Sequence, residues 1–231
     1  MSVIASILYG LISGITEFIP VSSRGHQALL RYLFGAETRI PLQELLVHIG
    51  VFFSVIVGSS ELLHKLLREQ RTVSGQYRRK MRYTDDKSHY DLRLLKTAAW
   101  PLFIGLFIYF TTAKLENNLL ILMAFWLVNA LILFLADHMP RGNRDSVTMS
   151  ALDGIVMGFA GALSVLPGIS RTGCVASYVI ARGTDDDNAA NWSVLLGIPA
   201  LIFAAIFDLA SFVAYGFGIH SIGAFLCCIL S

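Results

Sequence analysis

Two short stretches of the chain repeat the same reactive residue types at nearly the same spacing. The first runs Gly14-Ile-Thr-Glu17-Phe-Ile-Pro20-Val-Ser22-Ser23-Arg24-Gly25-His26. The second runs Gly161-Ala-Leu-Ser-Val-Leu-Pro167-Gly168-Ile-Ser170-Arg171-Thr172-Gly173. Both read Gly, five residues, Pro, two residues, Ser-Arg, then Gly at once or one residue later. Small residues at a turn leave backbone N–H groups open where a helix begins, and that end of a helix favours anions. Arginine adds a planar fork that suits phosphate oxygens. Two such turns meeting would clamp an anion. A diphosphate is a natural guest, since it offers one charged group to each turn. On this reading Ser22, Arg24, Gly168, Ser170, Thr172 and Gly173 bind substrate.

Only the first turn adds a glutamate and a histidine. Glu17 in an apolar setting could hold a divalent cation or take a proton. His26 could serve as nucleophile or general acid/base. The hydroxyls of Ser22 and Ser23 could bind phosphate or attack it, with helix N-capping as their competing use. The catalytic candidates are therefore Glu17, Ser23, His26 and Arg171, and the metal candidate is Glu17. Glu44 and His48 stand four apart and share a helix face. They line the same cavity or form a hydrogen bond between helices, and Asp208 is a further interior candidate. Asp185, Asp186 and Asp187 read as a solvated loop and helix start.

The elements that must hold these groups are membrane helices. Of 231 residues, 55% are hydrophobic and 15% charged, with mean hydropathy +0.63. A soluble domain is about 45–50% apolar and about 25% charged. The net charge of +2 is too small to point to nucleic acid. Cys174, Cys227 and Cys228 sit in apolar context, without disulfide or zinc spacing. The first residues are apolar but lack a basic region, so a cleaved signal peptide is not expected. Apolar stretches at 2–19, 42–63, 94–111, 119–135, 152–166 and 192–217 predict an all-α, polytopic membrane protein. A further apolar run, 219–230, closes the sequence.

The stretch 65–96 carries ten Lys and Arg residues and is expected in the cytoplasm. Alternation then puts 112–118 outside and 137–148 inside, in keeping with Arg141 and Arg144. An odd number of spans separates the two broken segments. If each is a re-entrant helical hairpin, they enter from opposite sides as an inverted repeat, with the binding site where they meet. The expected organisation is one membrane domain over 1–231, with repeat one at about 1–137 and repeat two at about 150–231.

At these motifs the sequence resembles the undecaprenyl-diphosphate phosphatase family, the bacitracin-resistance type of bacterial inner-membrane enzyme. The similarity covers most of the chain. It is most specific at Gly14 to His26 and at Leu166-Pro-Gly-Ile-Ser-Arg-Thr-Gly173, and it includes Glu44 to Gly50 and Trp192 to Pro199. The resemblance implies removal of the terminal phosphate of undecaprenyl diphosphate, which renews the lipid carrier for peptidoglycan. It also implies Mg²⁺ or Ca²⁺, an inverted repeat with re-entrant helices, and a site opening toward the periplasm. The expected partners are the polyprenyl diphosphate and membrane lipids, without nucleic acid, and the resemblance admits a homodimer. Glu17 matches the second glutamate of the family's Glu-x-x-x-Glu motif, Ser22 and Ser23 its serine pair, and His26 its histidine. Ser170 and Arg171 match the family's second motif.

Three positions depart from the pattern: Ser13 replaces the first motif glutamate, Arg24 a threonine, and Val175 a threonine. A glutamate at position 13 would share a helix face with Glu17, so Ser13 removes one charge from the expected cation site. The second repeat holds its broken pair, one span and a short run, so it is expected to be truncated or to belong to a longer protein. A lipid-phosphate transporter or flippase, a catalytically degenerate relative and a non-catalytic membrane scaffold are the competing readings.

Overall fold

The computed structural model describes residues 2–35, 41–74, 88–144 and 149–215, and every regular element among them is helical. The helices are α1 (Val3–Phe18), α2 (Ser23–Leu33), α3 (Pro41–Gly58), α4 (Ser60–Ser74), α5 (Ser88–Thr112), α6 (Leu119–Asp137), α7 (Ala151–Ala162), α8 (Arg171–Ala181) and α9 (Asp186–Tyr215). A 3₁₀ turn, Ala113–Asn117, joins α5 to α6, and another, Leu163–Val165, follows α7. The expected all-helical class is observed among the described residues. Three helices, α3, α6 and α9, are long and apolar enough to cross a membrane. Apolar side chains such as Leu127 (73% exposed) and Val213 (74% exposed) cover the outer surface. That is unsuited to water and natural against lipid.

Both broken segments are built by the same local rule. A residue before proline is pushed out of the helical region. Ile19 before Pro20 has ψ 146°, and Leu166 before Pro167 has ψ 125°. A few residues on, a serine caps the next helix: Ser22 Oγ accepts from the Gly25 N–H (3.2 Å), and Ser170 Oγ from the Gly173 N–H (3.2 Å). Each pair of helices folds back on itself. Arg31 near the end of α2 donates to the Tyr9 hydroxyl of α1 (3.2 Å). Arg182, just past α8, and Tyr178 within it donate to Asp153 in the first turn of α7 (2.6 and 2.9 Å).

Close backbone approach holds α7 against α5. A side chain at Gly158 would collide with the Ala98 carbonyl, and one at Gly154 with Thr97. This is small-residue helix packing of the kind membranes favour. Between the pairs runs α6, which buries only Leu122, Asn129 and Ala136, seven residues apart on one seam.

Element boundaries differ from the sequence reading in three places. The span at 42–63 ends at Gly58, and α4 begins at Ser60, so the first part of the basic loop is helical. Leu62 and Leu66, one turn apart, pack that helix on the core. α5 begins six residues before the expected span because Leu92, Leu94, Leu95 and Ala98 give its first turns an apolar face on the same core. α9 begins at Asp186, with Asp185 accepting the Asn188 N–H (2.7 Å), which matches the expected acidic helix start. Residues 75–87 of the basic loop and the run 219–230 lie outside the described residues.

Candidate functional site

The two turns meet. Ser22 Oγ, besides capping its own helix, accepts the Gly168 N–H of the other turn (3.1 Å). In return Thr172 Oγ1 donates to the Ile19 carbonyl (3.3 Å). Asn129 of α6 fastens both: its amide donates to the Pro20 carbonyl (3.0 Å) and its oxygen accepts the Ser170 N–H (2.8 Å). Gly168 sits at φ +106°, and a Cβ there would crowd Phe125 and the Leu122 carbonyl, so only glycine fits.

Above this junction is a cavity lined by Glu17, Ser22, Ser23 and Arg24 of the first turn and Ser170, Arg171 and Thr172 of the second. Glu17 closes the last turn of α1. Its Oε1 lies 2.8 Å from Arg171 Nη2, and its Oε2 accepts the Ser23 hydroxyl. The Arg171 guanidinium rests on α9, with Nη2 3.0 Å from where a Cβ on Gly197 would stand. Its Nε is buried without a hydrogen-bond partner, a donor held in reserve beside the cavity. Arg24 stacks on Tyr109 (4.2 Å) and donates to Glu116 and to the Val165 carbonyl. Glu116 also binds Arg31 (2.6 Å), which binds Glu44 (2.9 Å). Buried charges of this kind persist only when paired and hydrogen-bonded.

The sequence-predicted residues therefore divide. Glu17, Ser23 and Arg171 come into direct contact. Ser22 and Ser170 line the cavity while capping helices. Gly168 and Gly173 do not line it, and their N–H groups are already donated to Ser22 and Ser170. The open backbone donors expected at those glycines are thus occupied, and guanidinium and hydroxyl groups face the cavity instead. His26 is also outside the lining: its Nδ1 donates to the Ser22 carbonyl (2.9 Å) and its ring packs near Trp126. That bond steadies Ser22, whose φ of +66° is strained for a residue with a side chain. Glu44 and His48 do line the cavity, and His48 Nδ1 lies 2.6 Å from Asp208 Oδ2.

Arg31, Glu116 and Asn129 went unnoticed in the sequence. Their one signal is a polar residue within or beside an apolar helix.

A divalent cation needs several oxygen donors that are not already engaged. Both oxygens of Glu17 are taken by Arg171 and Ser23. Ser13, one turn earlier, is a buried hydroxyl without a partner and lies outside the cavity lining. Among the described residues no three His, Cys, Asp or Glu side chains gather to hold a metal. The donor set does not fit a preformed cation site.

Residues 6–231 match the family model described as bacitracin resistance protein BacA. The chain belongs to this family. Curated relatives named undecaprenyl-diphosphatase include proteins of three bacteria. The protein of Alkaliphilus metalliredigens is 30% identical over 94% of this chain and 80% of its own length. That of Carboxydothermus hydrogenoformans is 30% identical over 92% and 76%. That of Thermosipho africanus is 31% identical over 87% and 77%. The BacA match spans both broken segments and the whole cavity, so the ion pair between Glu17 and Arg171 lies within the family region.

Proposed function

We propose that this chain hydrolyses undecaprenyl diphosphate to undecaprenyl phosphate and phosphate, renewing the lipid carrier for cell-wall synthesis. One observation carries the reading: the Ser23 hydroxyl donates to Glu17, whose other oxygen is held by Arg171, inside a cavity. A hydroxyl bonded to an oriented carboxylate is the arrangement of an activated nucleophile. Arg171 and Arg24 supply positive charge where phosphate oxygens gather in the transition state, the main demand of phosphoryl transfer. Leu102, Leu201, Phe203 and Phe207 make the rest of the wall apolar, as an isoprenoid tail requires.

In this mechanism Ser23 Oγ attacks the terminal phosphorus as its proton passes to Glu17. Ser22, Ser170 and Thr172 hold the turns in register around the phosphates, and His26 positions Ser22 and Ser23 through the Ser22 carbonyl. The expected divalent cation takes no step here, because Glu17 is already neutralised by Arg171.

The two broken pairs are read as re-entrant hairpins of an inverted repeat, with repeat one at about 1–137 and repeat two at about 150–231. The first pair's closing end reaches Glu116, just before α6, through Arg31. The second pair's closing end reaches the chain just after α6, where the Arg144 N–H donates to the Gly183 carbonyl (3.0 Å). With the basic loop 65–96 in the cytoplasm, Glu116 lies on the outer side of a bacterial inner membrane. The bond from Arg24 to Glu116 supports a cavity mouth on that side.

The test is product analysis with purified full-length chain in detergent and undecaprenyl diphosphate. One phosphate released per lipid, with undecaprenyl monophosphate as the lipid product and no further cleavage, is the expected result. Transbilayer movement of intact lipid without phosphate release overturns the reading.

A further inference from the structure

We propose that His48, held by Asp208, is the proton-transfer residue of this hydrolysis, an inference that rests on the phosphatase reading above. His48 belongs to α3 and lines the same cavity as Ser23, Glu17 and Arg171. Its Nδ1 lies 2.6 Å from Oδ2 of Asp208 on α9, a carboxylate only 2% exposed. A carboxylate accepts, so the proton between them sits on Nδ1 and Nε2 is the nitrogen left for chemistry. A buried carboxylate behind an imidazole fixes its tautomer and steadies the imidazolium when it forms. His26 has no such support: its Nδ1 proton goes to a backbone carbonyl, and it lies outside the cavity lining.

The charged groups around His48 come from several elements. Asp208 approaches from α9, Glu17 from α1 and Glu44 from one turn earlier on α3. Arg171 of α8 and Arg31 of α2 hold those two glutamates, while α4 joins α3 at its far end. Asp208 is the one that bonds to the ring.

The step balances as follows. Ser23 Oγ attacks the terminal phosphorus and its proton passes to Glu17. His48 enters this step as the imidazolium, with Nδ1–H on Asp208 and a second proton on Nε2. The bond from that phosphorus to the bridging oxygen breaks, and the bridging oxygen of the departing lipid monophosphate takes the proton from His48 Nε2. Water then attacks the phosphoserine phosphorus and gives a proton to His48 Nε2. Ser23 Oγ leaves with the proton returned by Glu17. One water is consumed, and both side chains regain their starting protonation.

The experiment measures phosphate release against pH for the wild type, His48→Ala, His48→Gln and Asp208→Asn, with and without added imidazole. His48→Ala is expected to lose about 10²–10⁴-fold in kcat with KM little changed. It loses one limb of the wild-type pH profile, and imidazole restores part of the rate. Asp208→Asn lowers kcat and shifts that limb. Unchanged turnover and pH profile in His48→Ala overturn the inference. So does a loss in His48→Ala that imidazole does not relieve and that leaves both limbs of the pH profile in place, since proton transfer then runs through another group. A wild type that releases no phosphate overturns the phosphatase reading itself.

Discussion

Arg171 Nη2 stands 2.8 Å from Glu17 Oε1, so the second broken pair supplies the cation for the acid of the first. The two segments make one site because neither is complete alone. Arg171→Lys keeps the charge but loses the planar fork, and Arg171→Gln loses both. Turnover is expected to fall by about 10²–10³-fold or more in each. The glutamine variant should also melt earlier in detergent, because it leaves Glu17 buried without its counter-ion. Steady-state kinetics with a melting curve on the same samples checks this.

Asn129 carries the second prediction. Its side chain reaches from α6 to both turns, through the Pro20 carbonyl and the Ser170 N–H. Asn129→Ala leaves the buried Ser170 N–H without its partner, at about 1–3 kcal/mol, and also loses the bond to the Pro20 carbonyl. Thermal unfolding in detergent should register the loss. Asn129→Asp keeps the acceptor for Ser170 and should fall between the two.

Glycine substitutions test the packing of α5 on α7. Gly158→Ala drives a Cβ into the Ala98 carbonyl and should destabilise by about 1–3 kcal/mol. At Gly58 a Cβ meets nothing, so Gly58→Ala should change stability by less than about 0.5 kcal/mol. Equal effects would contradict the close approach of the two helices.

The cation question has a readout that needs no turnover. With both oxygens of Glu17 engaged, millimolar Mg²⁺ or Ca²⁺ should leave the melting temperature of the lipid-free protein unchanged. A metal-dependent rise that Glu17→Gln abolishes would show that the carboxylate leaves Arg171 to bind the ion, since binding to the folded state raises stability.

Much of this was legible in the sequence because local rules governed it. Proline sets the breaks at Ile19 and Leu166, serine sets the caps at Ser22 and Ser170, and charge scarcity marks the spans. Glu17 and Arg171 stand out in the sequence because ionisable groups are rare in apolar segments, and Ser23 because it sits in the same turn as Glu17. What failed was partner assignment. His26 sits inside a strong motif, yet its ring nitrogen goes to a backbone carbonyl. Glycine N–H groups that look open in sequence are taken by hydroxyls across the junction. Arg31 and Glu116 are far apart in sequence, and only the fold brings them together. The end of the span at Gly58 was hidden because Leu62 and Leu66 continue its apolar pattern on α4.

At the heart of the proposed reaction, the Ser23 hydroxyl, activated by Glu17, opens a lipid diphosphate. The most direct measurement is phosphate release from undecaprenyl diphosphate by purified wild type and Ser23→Ala, side by side in one detergent. Steady release by the wild type and a loss of at least about 10³-fold in Ser23→Ala, with unchanged elution and melting, are expected. Wild-type rates in Ser23→Ala would contradict that reaction.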